Sequence, residues 1–121
     1  MRTILLASLI ACVSPAAELP PGSYDCLYAQ VDGERHEERL TLATAADGTI
    51  TLTGVGDPMV LSGRIVGSRL YLVWNRIDEQ GLHVLQVVAE VGPDGYAAGN
   101  AWRSRNAEMA PKVNFILRRL P

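Results

Sequence analysis

Few residues in this chain have side chains suited to chemistry: His36 and His83, Cys12 and Cys26, and a set of aromatic and polar groups that includes Tyr28, Trp74, Arg76, Asn100 and Trp102. A metal site needs three or four convergent ligands, usually at short fixed spacings. Two histidines and two cysteines scattered along the sequence show no such spacing, and neither a metal nor a cofactor is implied. Asp78 and Glu79 lie close to His83, as an acid–base pair would require, but no nucleophile motif accompanies them, so the residues do not indicate an enzyme. His36 falls within Glu34-Arg35-His36-Glu37-Glu38-Arg39 and reads as part of a solvated charge run. The remaining groups are those that line binding cavities, where aromatics supply contact area and a few polar groups fix orientation. The expected ligand-binding set is Tyr28, Trp74, Arg76, His83, Asn100 and Trp102. Core packing for the two tryptophans, and a structural hydrogen-bonding post for Asn100, remain as alternatives.

Such groups converge only if the chain positions them. From Gly22 onward, turn signals recur every eight to twelve residues or so: Asp32-Gly33, Asp47-Gly48, Gly54 to Pro58, Gly67-Ser68, Asp78 to Gly81, Pro93-Asp94-Gly95 and Arg105 to Pro111. Eight runs lie between them, at about 22–31, 35–45, 49–54, 59–66, 69–77, 82–91, 96–104 and 113–120. Glu38-Leu40-Leu42, Ile50-Leu52, Leu61-Ile65 and Leu70-Leu72-Trp74 keep the two-residue period of half-buried strands. Every connection is short enough for a hairpin and none reads as a Greek-key crossover. The predicted fold is therefore an all-β, eight-stranded antiparallel up-and-down barrel, with a β-sandwich as the alternative. Gly67-Ser68 is then a two-residue hairpin joining the fourth and fifth strands.

The chain has 121 residues, 48% of them hydrophobic, which suits one domain preceded by an export signal. Arg2, the apolar run Ile4 to Val13 and the small residues Ser14 to Ala17 follow the order of a secretory signal peptide, giving a signal at 1–17 and one domain at 18–121. Leu9-Ile10-Ala11-Cys12 also has the form of a bacterial lipobox. Cleavage near Ala16 or Ala17 yields a periplasmic or secreted protein, whereas lipidation of Cys12 yields an outer-membrane lipoprotein and the only membrane contact expected. After cleavage near Ala17 only Cys26 remains, so no internal disulfide is expected, and Cys26 reads as a small buried apolar residue. The formal charge of −2 offers no positive field for nucleic acid.

Gly22-Ser23-Tyr24 in the first run and Arg118-Arg119 in the last resemble the G-x-W and closing arginine of lipocalin-like and avidin-like (calycin) barrels, with tyrosine in place of tryptophan. The pattern GRIVGSRLYLVW, GYAAGNAW, VNFILRRL is also similar to small exported bacterial barrels. The resemblance implies that ring and arginine stack across the closed end. Turn lengths lead independently to the same end: the tight turns two, four and six share it with both termini, and the mostly longer turns three, five and seven mark the mouth. If the more apolar face of each strand points inward, the interior receives Tyr24, Cys26, Tyr28, Trp74, His83, Leu85, Asn100 and Trp102.

The fifth and sixth runs are apolar on both faces, unlike a strand wet on one side. Tyr71, Val73, Val84 and Val88 are accordingly expected to contact a second copy of the chain or another partner. Two functions compete. One is an exported binding barrel holding a small, mostly apolar ligand in its interior. The other is a protein-binding module, such as an inhibitor of a secreted hydrolase, acting through the mouth loops 54–58 and 105–111. An open interior favours the first reading; a filled barrel with a projecting 105–111 loop favours the second.

Overall fold

Each run between turn signals forms a strand in the computed structural model, which describes residues 17–29, 35–55 and 59–121. The signal segment, the lipobox cysteine Cys12, and the turns at 30–34 and 56–58 lie outside the described residues. The strands are β1 (Gly22–Ala29), β2 (Arg35–Thr44), β3 (Ile50–Gly54), β4 (Val60–Val66), β5 (Arg69–Asp78), β6 (Gly81–Gly92), β7 (Tyr96–Arg105), β8 (Glu108–Met109) and β9 (Val113–Arg119). Each pairs antiparallel with its neighbour from β1 through β7, and β9 pairs with both β7 and β1. The hydrogen-bonded ladder thus returns on itself as a closed up-and-down barrel, and the sandwich alternative falls away.

The last wall position is shared by two segments. Ser104 pairs with Met109 in β8, and Ala101 pairs with Val113 in β9, one residue out of step. That extra residue is a bulge around Pro111, which has no N–H to give a ladder, while Ala110 N–H still donates to Arg103 O at 2.8 Å. The stretch 105–111, expected as a loop, is therefore a hairpin that prolongs the wall.

Register fixes the inner face. Rows such as Tyr24, Leu40 and Gly54, or Leu72, Val87 and Ala101, follow from residue pairs facing one another across successive strands. Leu40, Leu42, Leu52, Leu61, Leu70, Leu72, Val87, Phe115 and Leu117 are buried and fill the half of the barrel near the termini. Each leucine so buried contributes about 1.5–3 kcal/mol. Two inward glycines permit the curvature of the wall. A Cβ on Gly63 would collide with the Tyr71 carbonyl, and one on Gly99 with the Val88 carbonyl.

The closed end is pinned by hydrogen bonds to the segment ahead of β1. Tyr24 and Arg119 are cross-strand partners. The Tyr24 hydroxyl donates to Pro20 O at 2.6 Å, and Arg119 Nη2 donates to Pro21 O at 3.3 Å. Burial raises the Tyr24 pKa, opposed by the nearby Arg119 charge. Leu19, 4% exposed, joins the core from the segment ahead of β1 and plugs this end. A closed eight-stranded antiparallel barrel with this clamp is compatible with the calycin-like fold.

Candidate functional site

Above the packed half, the inner rows change from mostly leucine to mostly aromatic and polar residues. Trp74, Leu85 and Arg103 form one inner row across β5, β6 and β7, and Arg76, His83 and Arg105 form the next row toward the mouth. On the facing wall, Tyr28 pairs with His36, and Cys26 with Glu38. Between these walls lies a cup of about 380 Å³ lined by Tyr28, Glu38, Met59, Trp74, Asn75, Arg76, His83 and Arg103.

The polar groups of the cup hold one another in place. Asp78 closes the β5–β6 hairpin, where its carboxylate accepts the Gln80 N–H at 2.8 Å. It also lies 3.0 Å from His83 Nε2 and 3.2 Å from Arg76 Nη2. The His83 contact, the Gln80 N–H and the Arg76 charge hold the Asp78 pKa below its ordinary value. Arg76 is thereby steered over Trp74, its Cζ 5.5 Å from the ring centroid, a cation–π distance. Across the cup, the Tyr28 hydroxyl donates to Glu38 Oε1 at 3.4 Å. Burial, then the Glu38 charge, pushes the Tyr28 phenol up to about 12. The same two causes push the Cys26 thiol below it up to about 12, so Cys26 is the inert buried cysteine expected from sequence.

Four of the six expected ligand-binding residues, Tyr28, Trp74, Arg76 and His83, line this one cup. Asn100 and Trp102 do not. In β7 the inner face is Ala97, Gly99, Ala101 and Arg103, while Asn100 pairs with Val88, and Trp102 with Gln86, on the outside. Choosing the more apolar face fails here because leucine and phenylalanine from the other walls already fill the interior, and only the small-residue face fits against them. Trp102 instead lines an outer groove of about 410 Å³ with Tyr71, Val73, Gln86, Val88 and Met109.

His36 also departs from expectation. It belongs to the inner row rather than to a solvated charge run, and is half-buried, stacked on Tyr28 with centroids 5.3 Å apart and planes at 15°. No family model, curated protein or solved structure matches the chain. The site is accordingly interpreted from its own geometry.

Four lining residues, Glu38, Met59, Asn75 and Arg103, escaped the sequence reading, Asn75 because it alternates with the inward Trp74 and Arg76. Glu38 shares the alternation of Leu40 and Leu42, which marks the inner face, but its charged neighbours concealed it. Arg103 was hidden by the inverted faces of β7, and Met59 by its place at a turn. Among the described residues, no group of three His, Cys, Asp or Glu side chains is arranged to hold a metal ion.

The hairpins beside the cup are tied together. Asn106 donates from its side-chain amide to Gln80 O at 3.0 Å, and its Oδ1 accepts the Leu82 N–H at 2.9 Å. Its backbone N–H donates to Leu82 O at 2.8 Å. Asn106 and Ala107, at φ 50° and 68°, form the two-residue turn between β7 and β8, and this left-handed pair aims Asn106 at the neighbouring hairpin.

Proposed function

We propose that the protein is an exported binding barrel that holds a small molecule in the cup at its mouth. The observation that carries this reading is the division of the interior: the half near the termini is filled by buried side chains, and the mouth half is open and lined by Tyr28, Trp74, Arg76 and His83. An aromatic wall with a few fixed polar groups is the usual make-up of a small-ligand site. The rival reading, a protein-binding module acting through the mouth loops 54–58 and 105–111, draws less support because 105–111 is a hairpin fastened to its neighbour through Asn106 rather than a free loop, and residues 56–58 lie outside the described ones. Replacing Trp102 by Phe leaves Trp74 as the sole tryptophan and a reporter inside the cup. Titration of this variant with a panel of neutral and charged naphthalene dyes is expected to change Trp74 emission saturably, and Leu85→Arg to abolish the change. Trp74 emission unresponsive to every dye overturns the reading.

The outer groove supports a second role for the opposite face of the same wall. Tyr71, Val73 and Met109 are 40%, 44% and 61% exposed around it, and Arg69 and Glu90 flank it as an ion pair at 2.8 Å. An apolar patch whose neighbouring charges cancel meets its own copy without like-charge repulsion, so a homodimer through Tyr71, Val73, Val84 and Val88 is the contact proposed. Sedimentation is expected to show concentration-dependent association that Val73→Lys with Val84→Lys removes. A monomer at high concentration, with solubility unaffected by both substitutions, overturns this role.

A further inference from the structure

We infer that the molecule held in the cup is a planar aromatic anion, carrying a carboxylate or sulfonate; this inference rests on the cup being the binding site. Each guanidinium carries five N–H donors and no acceptor. Arg76 directs one nitrogen to Asp78, and Arg103 makes no ion pair among the described residues while lining the same cavity. Asp78 is already shared by Arg76, His83 and the Gln80 N–H, and Glu38 lies on the facing wall accepting the Tyr28 hydroxyl. Among the described residues, the remaining inward acid near the mouth, Glu108, is exposed opposite Arg105 at the outermost part of the wall.

Unspent donors therefore outnumber unspent acceptors on the β5–β7 wall, and a ligand completes the site by supplying acceptor oxygens. Arginine favours planar, bidentate oxyanions over point charges. The rest of the lining specifies the body of the ligand. Trp74, Tyr28 and Met59 offer flat and polarizable surfaces, and the filled core beneath them leaves no depth for a long aliphatic tail. Held by Asp78, the Arg76 guanidinium sits over the Trp74 ring, so a flat ligand on that wall carries its charge at the end that meets Arg76.

The test uses two dyes that share a ring system and differ in one group: 1-anilinonaphthalene-8-sulfonate, which is anionic, and N-phenyl-1-naphthylamine, which is neutral. Both are titrated into the Trp102→Phe protein while Trp74 emission is followed. The sulfonate is expected to bind at least about tenfold more tightly than the neutral dye, in keeping with a charge-assisted hydrogen bond. Raising salt from about 50 mM to about 500 mM is expected to weaken the sulfonate alone. Arg103→Gln is expected to lower sulfonate affinity about tenfold and leave the neutral dye unchanged, with a far-ultraviolet circular dichroism melt confirming the fold. Should that variant not fold, Arg76→Gln and the salt dependence decide.

Equal affinity for the two dyes, or a sulfonate affinity indifferent to Arg103→Gln and to salt, overturns the anion inference while the cup remains a binding site. Failure of both dyes to perturb Trp74 overturns both readings. Sulfonate fluorescence that rises with no change in Trp74 assigns the dye to the outer groove and overturns the inference.

Discussion

Cys26 and Tyr28 sit two residues apart on one inward face of β1, and both are held in their neutral forms by burial and by the Glu38 charge. Reagents attack the thiolate, so Cys26 is expected to resist dithiobis-nitrobenzoate in the folded chain and to react once denaturant is added. The clean measurement uses residues 18–121, where Cys26 is the sole cysteine. For Tyr28 the sign is that of an acid whose folded pKa, about 12, exceeds its ordinary 10. The contribution of its neutral phenol to stability is complete below pH 10 and is lost as pH rises through about 12. A spectrophotometric titration is expected to show a late phenolate step that Tyr28→Phe removes. The inward alternation of Tyr24, Cys26 and Tyr28 was legible because turn signals fix where β1 starts and Ser23 and Asp25 mark the opposite face, although Leu27 breaks the pattern further along. Glu38 and Arg103 were not legible, because a charge looks solvated in sequence until register places it over an open cavity rather than over packed leucine.

At the scale of strands and turns, the sequence disclosed nearly every boundary, since Gly, Pro and Asp mark turns for steric reasons that tertiary structure seldom overrides. What it concealed was the facing of β7. A strand of Ala97, Gly99 and Ala101 on one side and Asn100 and Trp102 on the other invites burial of the larger face, and only closure of the barrel, which leaves little room, reverses that choice. The glycine of that strand carries a direct test together with its counterpart in β4. Gly63→Ala and Gly99→Ala each drive a methyl into a neighbouring carbonyl and are expected to cost about 3 kcal/mol or more in urea unfolding, or to prevent folding. The turn after β7 is expected to respond in the opposite sense. Ala107 occupies the left-handed region at φ 68° on an exposed tip, and Ala107→Gly is expected to raise stability by about 0.4–1 kcal/mol in the same assay.

For the molecule as a whole, the two ends of the barrel do different work. One end is sealed by Leu19, Tyr24 and Arg119; the other bears the cup and its fastened hairpins. Sequence indicated this polarity through turn lengths alone, although the β5–β6 connection proved as tight as the closed-end turns, with Asp78 pairing directly with Gly81. Loop length was thus a rough guide, and the better marker of the mouth was the appearance of Trp74, Arg76 and His83 on the inner faces of β5 and β6 beyond Leu72 and Leu85.

The meeting of β1 and β9 has a consequence for how the polypeptide can be rewired. Leu120 N–H donates to Ser23 O at 2.9 Å, so the tail of the chain lies beside the start of its first strand. A permuted gene in which a short glycine linker joins residue 121 to residue 18, with new ends opened between Gly67 and Ser68, keeps every ladder bond and loses one exposed bend. Its circular dichroism spectrum and dye titration are expected to overlay those of the parent. A permutant that collapses would instead show that the original order of synthesis, and not the finished cylinder, is what the fold requires.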